Sequence, residues 1–173
     1  MVLETMKIVL VLHNIRSCYN VGAIFRTAEG FGISQVVLSG YTPRVHDTQL
    51  LPHLRDKLDR EIHKTALGAE DMIEIKNIDE ISTEISKYRK DGWKIVGLEN
   101  NINGDVCQLN DPSLKEKLGE KVVLILGEEV NGIPKELHNL IHFFVEIPMK
   151  GQKESFNVSV AAGIAMYGLT LAN

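Results

Sequence analysis

Three short stretches of this 173-residue chain hold residue types at spacings suited to chemistry. In the first, NIRSCYNVGAIFR, Gly22 and Arg26 are four residues apart and share one helix face. A missing side chain at 22 lets a ligand approach the backbone, with Arg26 beside the gap and Asn20 at the helix entrance. An anion over a helix N-terminus, met by an arginine, is sound electrostatics. The same residues also suit a capped helix with a glycine for close packing. In the second stretch, LGEEVNGIP, Gly127 ends an apolar run, so a planar group could stack on bare backbone there. Glu128 and Glu129 follow, and on their own they suit a solvated turn. The third, IPMKGQKESFNVS, leaves an apolar strand at Ile147, runs through a polar loop from Met149 to Ser155, and enters a small-residue helix after Phe156 and Asn157.

The elements that must position these stretches follow from hydrophobic periodicity. The continuous β-branched and apolar run at Lys7–Leu12 predicts a strand buried on both faces, and the runs at Val36–Leu38, Trp93–Leu98, Val122–Leu126 and Phe143–Ile147 predict further strands, with Val122–Leu126 central. A shorter run at Met72–Ile75 predicts another. Helical spacing is expected over Asn20–Phe31, with Asn20 as N-cap, and over Ile78–Lys90. Leu50, Leu51, Leu54 and Leu58 suggest a short helix, followed by a loop or turn through residues 59–70. Pro134 at a first helical position predicts a further helix, and the C-terminal run from Val158 predicts the last. Strands alternating with helices mean an α/β fold with a mainly parallel sheet of five or six strands in one domain. In such sheets ligands bind outside the carboxyl ends of strands. All three stretches occupy that place.

Composition narrows the function classes. Net charge is −4, against a generally adhesive nucleic-acid binder. Residues 13–64 nevertheless carry seven Lys or Arg against five Asp or Glu, while residues 65–173 carry eleven against seventeen. A polyanion contact is expected on that N-terminal third, although a solvated charged face has the same composition. No run approaches a membrane span. The start, MVLETMKIVLVLHN, is too short and too acidic for a signal peptide. Cys18 and Cys107 form no disulfide framework, and a reduced, cytoplasmic setting is expected. There is no dinucleotide-binding glycine fingerprint, no P-loop and no hydrolase elbow. His138 and His142 lack a third ligand, so no metal is expected.

Taken together, Asn20, Gly22 and Arg26, then Leu126, Gly127, Glu129 and Gly132, then Ile147, Pro148 and Met149, then Ser155, Phe156, Asn157, Val158, Ser159 and Ala161 resemble the SpoU/TrmH family of RNA 2′-O-ribose methyltransferases, in the SPOUT superfamily. The resemblance runs from Lys7 to Leu171, and Phe156 departs from it where leucine is usual. It implies a deep trefoil knot in the C-terminal part of one domain spanning 1–173, without a separate RNA-binding domain. It implies S-adenosylmethionine as cofactor, tRNA or rRNA as partner, and a homodimer formed partly by the last helix, whose stripe Val158, Ala161, Ala162, Ala165 and Leu169 suits close helix approach or core packing. Cofactor contacts would fall on Leu98, Gly127, Ile147, Met149, Ser155, Phe156 and Asn157. Arg26 would be catalytic, with Asn20, Glu129, Ser155 and Asn157 orienting it, the ribose and the loops; Glu129 would bond either Arg26 or Asn20. Arg16, Arg26, Arg44, Arg55, Lys57, Arg60 and Lys64 would meet RNA phosphates. A base-methylating relative and a non-catalytic RNA-binding module are the alternatives.

Overall fold

The computed structural model describes residues 6–171; the first five residues of the segment weighed as a leader lie outside them. Seven strands form one sheet in the order β3-β2-β1-β6-β4-β7-β5, all pairs parallel. They are β1 (Lys7–His13), β2 (Gln35–Ser39), β3 (Ile75–Asn77), β4 (Lys94–Leu98), β5 (Val106–Gln108), β6 (Lys121–Leu126) and β7 (Phe143–Glu146). The count exceeds the five or six expected because β5 is too short to announce itself by periodicity. It forms as an edge strand by pairing with β7. β3 begins at Ile75, where the expected strand ended, and Met72 is left exposed.

Alternating side chains serve two cores. Ile8, Leu10 and Leu12 of β1 join one, and Val9 and Val11 join the other. On the first face lie α1 (Cys18–Gly30), α2 (Pro52–Ala66) and α5 (Val158–Leu171). On the second lie α3 (Ile81–Lys90) and a 3-10 segment, Lys135–Leu140. A four-residue helix, α4, occupies Leu114–Lys117. Each large apolar side chain fully buried this way contributes about 1.5–3 kcal/mol.

Several expected boundaries move for identifiable reasons. Ser17, not Asn20, caps α1: its Oγ accepts from the Asn20 amide at 3.2 Å, leaving the Asn20 side chain free to point elsewhere. α2 runs to Ala66, through the stretch expected to be a loop, because Ile62 and Ala66 bury against the rest of the fold. Of the four leucines that suggest this helix, Leu51 and Leu54 are exposed. Left-handed Leu67 then ends the helix. α3 starts at Ile81, although Ile78 still packs on the second core. Pro134 stays extended and the turn behind it is 3-10 rather than α.

Parallel register brings the carboxyl ends together. Leu12 of β1 lies beside Leu126 of β6, Leu126 beside Leu98 of β4, and Leu98 beside Val145 of β7. The chain segments leaving these strands therefore meet at one edge of the sheet.

Candidate functional site

At that edge the loops after β4, β6 and β7 enclose a cleft of about 390 Å³. Its apolar wall is Leu98, Leu126, Ile147, Phe156, Val158 and Ala161; its polar wall includes Glu99, Asn100, Glu128, Glu129 and Ser155. The size suits a small organic ligand, and several carboxylates favour one that carries positive charge. Of the expected contacts, Leu98, Gly127, Ile147, Ser155, Phe156 and Asn157 line this cleft. Met149 does not. A larger cleft of about 620 Å³ lies along α5, among Leu109, Pro112, Ile164 and Tyr167. Of the three chemistry-bearing stretches it gathers only Ile147, Pro148 and Lys150.

Side chain–backbone bonds hold the cleft open. Asn100, just past β4, donates from Nδ2 to the carbonyls of Ile147 (3.1 Å) and Glu154 (3.3 Å). Its Oδ1 accepts from the Ile147 amide at 3.0 Å. One side chain thus clasps both ends of the loop leaving β7. Glu99 Oε2 accepts from the Ile133 amide at 2.9 Å and fixes the loop leaving β6. That loop turns back through paired backbone bonds between Glu128 and Gly132, and Gly132 has φ +67°, which favours glycine. The return presses Gly132 and Ile133 against Gly127, where any Cβ would collide with their backbone. The chain itself, rather than a stacked ligand, therefore demands glycine at 127. Sequence reasoning missed Glu99 and Asn100, although their position directly after a predicted strand was a usable signal.

The three stretches meet at the rim. Asn20 donates to Glu129 Oε1 at 3.4 Å, and Asn157 donates to Asn20 Oδ1 at 3.3 Å. Asn157 Oδ1 also accepts from the Ser159 amide at 2.9 Å and so holds the first turn of α5. Glu129 therefore bonds Asn20 and not Arg26. Glu128 receives Arg16 at 3.3 Å and Asn131 at 2.6 Å. Its carboxyl is held below the usual carboxylate range by the Asn131 amide first, then by Tyr41 and Arg16.

Arg26 lies on the exposed side of α1, outside the cleft lining, with no polar partner among the described residues. Gly22 is buried elsewhere: a Cβ there would strike the Ile62 carbonyl and Thr65 Oγ1 of α2. The glycine serves helix packing, and no ligand reaches it. Arg44 is committed to the Ile78 carbonyl (2.9 Å) and Asp79 (2.8 Å). Arg55 pairs with Asp56 and Lys64 with Glu61. Lys57 and Arg60 have no ion pair among the described residues. His138 bonds the Ile133 carbonyl and His142 accepts from the Ile95 amide, so each is satisfied separately. No cluster of metal-ligating side chains is present among the described residues, and no helix there is long and apolar enough to cross a membrane.

This arrangement coincides with a known family. The chain belongs to the SpoU rRNA Methylase family, whose sequence model matches residues 7–167. It is 27% identical over 164 residues to the 23S rRNA (guanosine-2′-O-)-methyltransferase RlmB of Pseudomonas putida, covering 95% of this chain and 58% of that protein. The chain thus spans less than two thirds of the length of such curated relatives. The fold is that of an AdoMet-bound rRNA methyltransferase from Sinorhizobium meliloti, at 22% identity and TM-score 0.74, over 95% of this chain and 56% of that one. A structure concerned with 2-OH methylation of C/U34 on tRNA aligns at 22% identity and TM-score 0.71, over 95% of this chain and 93% of its own.

Proposed function

We propose that this chain is an S-adenosylmethionine-dependent RNA methyltransferase that acts on a ribose 2′-hydroxyl of tRNA or rRNA in the cytoplasm. The observation that carries the reading is the Asn20–Glu129–Asn157 junction, which joins three sequence-distant motifs at the mouth of one acid-lined cleft. The cofactor fits the cleft in size and charge: Leu98, Ile147 and Phe156 offer apolar surface to its adenine, and the carboxylates of Glu128 and Glu129 suit its cationic groups. When bound it supplies an electrophilic methyl group. The chain's part is to hold the ribose in line and stabilise the oxygen as its proton passes to the adjoining phosphate or to water. A guanidinium is a poor base at neutral pH. Arg26 therefore clamps the phosphate beside the target and stabilises the developing alkoxide, while Asn20 and Asn157 align the rim and Ser155 orients the ribose.

Two further properties belong to this reading. The link 99–105 carries the chain across β7 from β4 to β5, and Asn100 ties it to the segment leaving β7, which supports a knotted C-terminal part. Two copies pair through α5. Of its expected stripe, Ala162, Ala165 and Leu169 are buried within the chain and Val158 and Ala161 are half-buried, whereas Val160, Tyr167 and Leu171, outside that stripe, are exposed. The paired face is thus the outer one.

Incubation with radiolabelled cofactor and total RNA tests the reading, followed by mapping of the labelled nucleotide. Label in a ribose is expected. Label in a base would identify a base methyltransferase, and no label in any RNA would leave a binding module. Arg26→Ala is expected to abolish transfer. Arg26→Lys separates charge, which survives, from the bidentate fork, which does not.

A further inference from the structure

Two tyrosines flank the loop that leads into α1, and each carries a cation over its ring. The Arg16 guanidinium lies 5.7 Å from the Tyr41 ring centroid, and the Lys64 ammonium 5.6 Å from that of Tyr19. Both rings stand about half in solvent, Tyr41 at 48% and Tyr19 at 49%. Arg16 and Tyr19 are three residues apart, so their backbones are separated by at most about 11 Å.

The backbone at both tyrosines is fastened to neighbouring elements. The Tyr41 amide donates to Asn14 Oδ1 at 3.2 Å, and the Ile15 amide to Thr42 Oγ1 at 3.1 Å, which fastens the Tyr41 loop to the loop bearing Arg16. Arg16 is tethered in turn to Glu128 on the cleft wall. On the other side, Thr65 Oγ1 donates to the Tyr19 carbonyl at 2.9 Å, and Lys64 reaches the Tyr19 hydroxyl at 3.4 Å. The pairs therefore border the rim where Asn20 meets Glu129 and Asn157.

We propose that Tyr41 and Tyr19 form a stacking platform for unpaired nucleotides beside the target, with Arg16 and Lys64 serving the adjoining phosphates. The proposal rests on the RNA reading above and names its substrate class: RNA whose bases are splayed out, not a duplex. Every base offers a flat face, and stacking on an aromatic ring is tolerant of sequence. In a duplex those faces are covered by neighbouring bases, and recognition falls to backbone and shape. A tyrosine on a fastened backbone has less freedom to lose on binding, and the cation paired with its ring is close enough to serve an adjoining phosphate.

The probe is a short fluorescein-labelled RNA of mixed sequence, used unpaired and annealed to its complement, with affinity read by fluorescence anisotropy. Tyr41→Ala and Tyr19→Ala should each weaken binding of the unpaired RNA by about fivefold or more, with duplex binding little changed. Tyr41→Phe, which keeps the ring, should retain the wild-type affinity. Equal losses for unpaired and duplex RNA, or a loss with Tyr41→Phe matching that of Tyr41→Ala, would overturn the platform. Unaltered affinity in both alanine variants, with methyl transfer intact, would overturn it alone. Failure of the wild-type protein to bind either RNA would overturn it together with the proposed function.

Discussion

The two halves of the rim are built differently. On the side of β4, β6 and β7, the loops are tied by side chains bonding backbone: Asn100 to Ile147 and Glu154, Glu99 to Ile133. On the side of α1 and α2, exposed or half-exposed cations are held by carboxylates, in the pairs Arg16–Glu128, Arg55–Asp56 and Lys64–Glu61. Exposed pairs of this kind are worth about 0–1 kcal/mol and yield to competing charge. Part-buried bonds to backbone fix a shape, and breaking one strands a polar group. The first half is preorganised for a small ligand of one form. The second can exchange its carboxylate partners for phosphates, so RNA affinity should fall steeply with salt.

The largest expected effect comes from breaking the clasp. Asn100→Ala removes three bonds and should lower stability by about 2–3 kcal/mol, with at least about a tenfold loss of S-adenosylmethionine affinity by calorimetry. Unchanged cofactor affinity would erase the distinction between the two halves. Gly22→Ala should cost about 1–3 kcal/mol in denaturant unfolding by forcing α1 off α2, yet leave cofactor affinity alone; loss of affinity without loss of stability would restore a ligand role to Gly22.

Asn157 sharpens the boundary between the halves. Asn157→Ala removes the cap on α5 and should cost about 1 kcal/mol. Asn157→Asp keeps the acceptor for Ser159 but cannot donate to Asn20, so it should retain most of the stability while methyl transfer falls. Equal activity in Asn157→Asp and the wild type would remove the junction from the mechanism.

The smallest effect is on pH. Burial pushes the His13 imidazole below its ordinary value of 6.5, with Glu136 opposing, and burial pushes His142 down, helped by Arg89 and Lys94. The unfolded chain therefore binds protons more readily than the folded one as pH falls through 6.5. The stabilisation is fully present above 6.5 and is lost on acidification toward the lowered folded values. Thermal melts of wild type and His13→Gln across this range should show a shallower acid slope in the variant.

Local pattern alone determined a good deal. Short apolar runs rich in Val and Ile and bounded by turn residues fit buried strands, so β1, β4, β6 and β7, the alternating helices and the parallel sheet were legible. The strand-exit positions of the three stretches followed with them. The family resemblance, rather than spacing, pointed to Leu98, Ile147, Ser155, Phe156 and Asn157, which line the cleft. Tertiary structure decided what depends on which segments touch. Gly22 is demanded by a neighbour distant in sequence, Ile62, and Gly127 by the return of its own loop at Gly132, a closure that spacing alone does not reveal. Asn20 became a rim residue because Ser17 took over the cap. Asn100 became a clasp only once parallel register laid β7 beside β4. β-Branched runs report burial through solvent transfer, which is a property of each residue; hydrogen-bond partners and glycine clearances are properties of pairs, fixed only when the chain closes on itself.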